Sequence, residues 1–203
     1  RINFERILAL KPDLVVVWVG GNRAADIHGL IKMGLPVLHT QATRLDDVAR
    51  LLRLVGQASG HAREGEAAAR DFSARLSTLR VPAGQRPPVD VFYQVWDRPL
   101  MTVGGSHWIS DVLALCGARN VFADLRAASP VVSREAVLQR APALIVSSSD
   151  APDVRRQWQR FASLPAVKND AFVQVDADRL HRPTPRLAEG VAELCMAVRT
   201  YVR

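Results

Sequence analysis

The sequence predicts an α/β chain of two lobes joined by one long helix, and three observations carry that expectation. Strand-like apolar runs alternate with amphipathic helical stretches in both halves, the pattern of a largely parallel sheet covered by helices. One phrase occurs twice, at Glu5 to Val16 and again at Glu135 to Val146, each time as a short helix, a proline stop and an apolar strand. A repeat separated by most of the chain points to two similar lobes, because solenoid units follow one another at short period. His61 to Leu79 is rich in Ala, Glu and Arg, with one narrow apolar stripe at Ala68, Phe72, Leu76 and Leu79, as suits a rigid strut.

The first helix is capped by Asn3, runs to Leu10 and stops at Pro12; Leu14 to Trp18 then forms a strand apolar on both faces, as in a covered parallel sheet. That strand runs out into Val19-Gly20-Gly21-Asn22. A second helix over Ala24 to Met33 is closed by Gly34, and Pro36 to Thr40 completes a βαβ unit. Leu45 to Val55 is another amphipathic helix, ended by Gly56, and the long helix follows it. Three prolines between Val81 and Pro88 mark a boundary. Val89 to Val95 opens the second half as a strand, the loop Trp96 to Ser106 follows, and Trp108 to Leu115 is a helix closed by Gly117. The second copy of the repeat spans Ser133 to Ser148. Asp153 to Phe161 reads as helix, Ala171 to Val175 as strand, and the irregular Asp176 to Pro185 precedes a terminal helix, Arg186 to Val202. The expected division is an N-terminal lobe over 1–57, a connecting helix over 58–82 and a C-terminal lobe over 83–203.

With 203 residues and 48% hydrophobic composition the chain buries a substantial core. No apolar run approaches the ~18 residues of a membrane-spanning helix, so no membrane insertion is expected. The chain opens at Arg1 with a helix cap two residues later and no leader pattern, and reads as a fragment or processed product. Its net charge of +7 rests on arginines scattered through helical stretches and interrupted by acids. A solvated basic surface is the simpler reading, and with no basic block interleaved with aromatics no nucleic-acid partner is expected. Cys116 and Cys195 are the only cysteines, each near the end of an apolar helical pattern. Buried free thiols and a disulfide read equally well, and two cysteines without a CxxC pair give no expectation of a cysteine zinc site.

In open α/β sheets ligands gather beyond the carboxyl ends of the strands. Three segments are nominated: Trp18 with Gly20-Gly21; Tyr93, Gln94, Trp96, Pro99 and Met101; and Asp176, Asp178, His181 and Arg182. Aromatic and sulfur side chains would wall a large amphipathic ligand, with a few polar anchors. Spacing alone favours the plainer reading of Trp18 and Trp96 as core aromatics, since tryptophan is mostly buried. The five histidines show no metal-ligand spacing, and His181 reads as a locally bonded loop residue. Val19-Gly20-Gly21-Asn22 resembles a phosphate-binding turn without its full pattern, and no GxSxG nucleophile elbow occurs. Nothing in the residues specifies catalysis. Glu5 and Glu135 stand where the helix dipole favours a carboxylate, behind the caps Asn3 and Ser133.

Asn3 to Trp18 with Gly20-Gly21-Asn22, the segment Val132-Ser133-Arg134-Glu135, and Asp178 through Arg182 to Pro185-Arg186 closely resemble the periplasmic cobalamin-binding proteins of ABC-type importers. The resemblance runs over essentially the whole chain. That family belongs to the helix-backbone class of substrate-binding proteins: two Rossmann-like α/β lobes joined by one long helix, matched here by His61 to Leu79. The resemblance implies a non-catalytic periplasmic receptor, monomeric and without a cofactor. It would hold cobalamin in an interlobe cleft and deliver it to the permease subunits of an ABC importer.

Residue by residue, the resemblance makes Trp18 a cleft tryptophan that packs on the corrin, with Gly20 beside it, and makes Asp178 and Arg182 polar contacts to peripheral amides. Tyr93, Trp96 and Met101 complete the expected ligand set. Glu5 and Glu135 match glutamates, one per lobe, that dock onto permease arginines. Cys116 and Cys195 fall where the family has a disulfide. Ser129 stands where the family pattern has a tryptophan, Val95 replaces an aromatic, and the family's opening strand has no counterpart before Arg1. Members of the same class carry haem or ferric siderophores, for which Tyr93 and His181 offer axial ligands. An α/β enzyme with a phosphate at Gly20-Gly21 is the remaining alternative.

Overall fold

The computed structural model describes residues 2–82, 84, 86–148 and 153–201. It has two compact units, Arg1–Ala42 and Thr43–Arg203. The mixed α/β class expected from the sequence is the class observed.

The first unit is one βαβ module with an added helix. Helix α1 (Phe4–Ala9) is capped by Asn3, whose side chain accepts from the Arg6 N–H at 3.0 Å. Strand β1 (Val15–Trp18), helix α2 (Ala24–Lys32) and strand β2 (Val37–Thr40) follow, and β1 pairs with β2 in parallel register, Val15 opposite Val37 and Trp18 opposite Thr40. Val17, Ile27 and Leu30 form the core, with Phe4, Ile7 and Val15 packed against it. Strand β1 departs from the expectation of two buried faces. Side chains alternate along a strand, so Val15 and Val17 face the helices while Val16 (56% exposed) and Trp18 (51%) face away from them.

The second unit begins with an antiparallel helix pair, α3 (Asp47–Ala58) and α4 (Ala62–Leu79). Gly56 does not end α3, as its sequence suggested. A Cβ there would lie 2.8 Å from the Gly65 Cα, so the two glycines let the helix backbones touch while α3 runs on. The buried stripe of α4 is therefore Gly65, Ala69, Phe72 and Leu76; Ala68 stands beside it and Leu79 is half-buried. Arg53 and Glu66 clamp the pair across 2.6 Å.

A five-stranded sheet follows. Strand β3 (Val89–Trp96) pairs on one edge with β4 (Met101–Thr102), antiparallel, and with β5 (Ala118–Asn120), parallel; on the other it pairs in parallel with β6 (Leu144–Ser148), which pairs with β7 (Phe172–Val175). Helices α5 (Trp108–Leu115), α6 (Arg134–Arg140), α7 (Val154–Trp158), α8 (Pro165–Lys168), α9 (Ala177–Leu180) and α10 (Leu187–Thr200) complete the unit. Val202, expected in the last helix, lies outside the described residues. On one face Phe92, Ile145, Phe122 and Trp158 form the core, with Phe92 edge-on to both Phe122 and Trp158. All five residues of β6 are buried, as two paired edges and two covered faces require.

The repeated phrase folds the same way twice. In α6 the Ser133 hydroxyl accepts from the Ala136 N–H at 3.1 Å, the counterpart of the Asn3 cap. Each helix ends at a left-handed residue before the proline, Lys11 and Ala141, both at φ 46°. A left-handed non-glycine residue costs roughly 1–2 kcal/mol, so its appearance at both equivalent positions marks a shared local solution to leaving the helix and entering the strand.

Cys116, at the end of α5, is bonded to Cys195 of α10. That closes a loop of 79 residues, for which the chain-entropy model gives roughly 4 kcal/mol.

Candidate ligand-binding site

In the first unit the Trp18 indole lies flat on the turn that follows β1. A Cβ on Gly20 would sit 2.9 Å from Trp18 Nε1, and one on Gly21 would overlap the far ring edge, so only bare backbone accommodates the ring. The turn is closed on itself: Asn22 Oδ1 accepts from the Trp18 N–H at 2.7 Å, and the Trp18 carbonyl accepts from Asn22 N at 2.7 Å and Gly21 N at 3.2 Å. Two consequences follow. The tryptophan is half-exposed yet supported over one ring face, as a platform for an apolar ligand should be. The Gly21 and Asn22 N–H groups that a phosphate would need are already donating, which removes the basis for a phosphate cradle here.

In the second unit the candidate residues gather at the carboxyl ends of β3 and β7. Trp96 ends β3, is 50% exposed, and donates its indole N–H to the Arg98 carbonyl at 3.2 Å. Met101 of β4 stands opposite it, half-buried, at an irregularity in the β3–β4 register that re-aims both side chains. Trp18 and Trp96 are thus surface residues, against the plainer reading of their spacing; the core tryptophans are Trp108 and Trp158.

Asp178 and Arg182 are brought together across α9 at 2.7 Å, both about two-thirds exposed. A pair this open to solvent is worth only ~0–1 kcal/mol, so either group can turn to a ligand at little cost.

Tyr93 is placed differently. It lies inside the unit with no exposed surface, and its hydroxyl meets His181 Nε2 at 2.9 Å. Burial pushes the phenol's pKa far up, so it stays protonated. Tyr93 therefore acts on the surface through His181.

Neighbouring groups fix His181 in turn. The Trp108 indole N–H donates to the Leu180 carbonyl at 3.1 Å, tying α5 to the end of α9. His107, which caps α5 by accepting the Ile109 N–H at 3.2 Å, stacks at 4.1 Å on Trp108. Burial, assisted by the charge of His181, pushes the His107 pKa down to about 4. Across β3, the fully buried Gln94 accepts from Trp158 Nε1 at 2.8 Å and donates to Gln157 at 2.9 Å. These polar links join residues more than sixty positions apart and leave no pattern in sequence.

Glu5 and Glu135 occupy the same second position of their helices, and both are exposed. The carboxyl of Glu135 is held below its ordinary range, first by a backbone N–H at the helix start and then by the Ser133 hydroxyl. Among the described residues no cluster of three His, Cys, Asp or Glu side chains is placed to hold a metal, and no helix is long and apolar enough to cross a membrane. A cavity of about 1150 Å3 lies against Leu45, Val81 and Ala114, but no candidate ligand residue lines it.

Known proteins align with this arrangement. Residues 1–178 match the family model described as periplasmic binding protein. The vitamin B12-binding protein of Vibrio cholerae serotype O1 is 37% identical over 195 residues, covering 96% of this chain and 71% of that protein. The crystal structure of the periplasmic vitamin B12 binding protein of Vibrio cholerae superposes with a TM-score of 0.86 at 36% identity, over 99% of this chain and 79% of that one. A periplasmic heme-binding protein from Roseiflexus sp. RS-1 shares the fold at a TM-score of 0.85 and 20% identity, over 100% of this chain and 81% of that one. A family match across most of the chain and a close relative over nearly all of it agree with the α/β architecture and its surface aromatics: the chain belongs to the periplasmic binding protein family.

Proposed function

We propose that this protein captures a corrinoid, cobalamin in the first instance, in the periplasm and delivers it to an ABC-type importer without chemically altering it. The observation that carries the reading is 37% identity, over 96% of the chain, to a relative named for vitamin B12 binding. The surfaces described above support it. Trp18 on its glycine turn and Trp96 with Met101 offer apolar platforms for a corrin, while Asp178 offers an acceptor and Arg182 a donor for its peripheral amides. No cofactor is needed for capture, and monomeric action suits a carrier. Glu5 and Glu135 are the proposed docking contacts for permease arginines, and α4, within 58–82, is the proposed connecting helix between residues 1–57 and 83–203.

Haem binding on the same fold is the weaker reading. Tyr93 is enclosed and its hydroxyl is committed to His181 Nε2, so neither group stands ready as an axial ligand. The test is co-elution: protein mixed with cyanocobalamin and, separately, with haemin is passed over a desalting column. Retention of the corrinoid's visible absorbance supports the proposal, and retention of haemin alone overturns it.

A further inference from the structure

A second kind of recognition surface lies at the end of β3. A cavity of about 630 Å3 opens beside Trp96, walled by Arg98 and Arg134 and by Arg156 and Arg160 from α7 and the turn after it. Asp97, 9% exposed, is the one carboxylate on this lining, and it is shared between Arg98 at 3.1 Å and Arg134 at 3.3 Å. Four guanidiniums against one carboxylate leave an excess of three positive charges around the cavity. Arg156 and Arg160 have no carboxylate at ion-pair distance among the described residues; the Arg160 guanidinium lies instead over the Phe161 ring at 4.9 Å. Gln157 is pinned to the buried Gln94, so the wall that carries Arg156 is held against the strand.

Solvated arginines on a convex surface repel one another weakly and need no partner. Here they converge on a concave site, where low-dielectric walls focus their field and a bound anion relieves the repulsion. Planar guanidiniums in number suit the several oxygens of a phosphate group better than a single carboxylate does. The Trp96 indole at the rim, with its N–H already used, presents only a ring face.

We propose that this arginine-lined cavity binds a phosphate group. In the ligand proposed above it receives the phosphodiester of the nucleotide loop, while Trp96 supports the adjoining apolar body. The second statement rests on the corrinoid reading, and the first does not.

The test uses Arg156→Ala/Arg160→Ala, both exposed positions that leave the core untouched. Wild type and variant are titrated with cyanocobalamin and with cobinamide, which lacks the phosphodiester. The wild-type preference for cyanocobalamin should fall about tenfold or more in the variant, the scale of one or two charge-assisted contacts, with cobinamide affinity unchanged. Inorganic phosphate should compete with cyanocobalamin in wild type and not in the variant. Equal loss for both corrinoids, or no loss for either, overturns the subsite. So does loss confined to vesicles containing phosphatidylglycerol, which would assign the arginines to a membrane surface. If wild type binds neither corrinoid, the corrinoid reading fails; inorganic phosphate that still shifts wild-type amide resonances, and not the variant's, then upholds the anion site, and its absence overturns that too.

Discussion

Tyr93 and His181, separated by 88 residues, meet hydroxyl to imidazole at 2.9 Å and so couple the buried middle of β3 to the surface turn after α9. Tyr93→Phe removes that bond without opening a cavity and should lower stability by about 1 kcal/mol, read from denaturant unfolding. Because the phenol is enclosed, cyanocobalamin affinity should stay near wild type; a large loss would mean that Tyr93 meets the ligand directly.

His107 makes stability depend on pH. Its pKa in the folded protein is about 4, below the ~6.5 of an unfolded chain, so the unfolded state binds the extra proton between those values. Its contribution is complete above about pH 6.5 and is lost as pH falls toward 4, by up to roughly 3 kcal/mol. His107→Asn keeps a side-chain acceptor for the Ile109 N–H but does not titrate. Thermal melts across this range should show a flatter profile for the variant.

Reducing the Cys116–Cys195 bond, or replacing both cysteines with serine, should cost several kcal/mol by the loop-entropy argument. The melting temperature with and without a reductant measures this, and an unchanged value contradicts it.

Gly21→Ala tests the indole platform. The new methyl group has no room beneath the ring, and Trp18 is exposed enough to swing away. Folding should persist, tryptophan fluorescence should change, and corrinoid affinity should fall about tenfold, the loss expected from displacing one stacked aromatic contact.

Much of the architecture was legible because it rests on local signals. The caps at Asn3 and Ser133, the proline stops and the α4 periodicity each declare themselves within a few residues. Gly56 misled because the reason for it lies on Gly65 of another helix. The exposed face of β1 was equally unreadable, since Val16 is as apolar as Val17 and only the placement of α1 and α2 separates them. Among the candidate ligand residues, Trp18 and Trp96 were each identified by position after a strand, whereas the Tyr93–His181 bond and the four-arginine cavity are assembled from distant elements of the second unit. A single strand end signals a ligand surface, but convergence of side chains from β3, α6 and α7 exists only in the folded chain.

Charge reversal at the two equivalent glutamates, Glu5→Arg with Glu135→Arg, separates capture from delivery. Both are exposed helix-start residues, so ligand affinity should survive with only a small stability loss from the helix dipole. Uptake by vesicles carrying the importer should be abolished; normal uptake would remove both from the docking surface.

Calorimetric titration of the chain with cyanocobalamin, beside Trp18→Ala, is the decisive measurement for corrinoid capture. Saturable one-to-one binding at micromolar concentration or tighter is expected, weakened in the variant. No heat of binding to wild type, with haemin or a ferric siderophore binding tightly in the same cell, would contradict it.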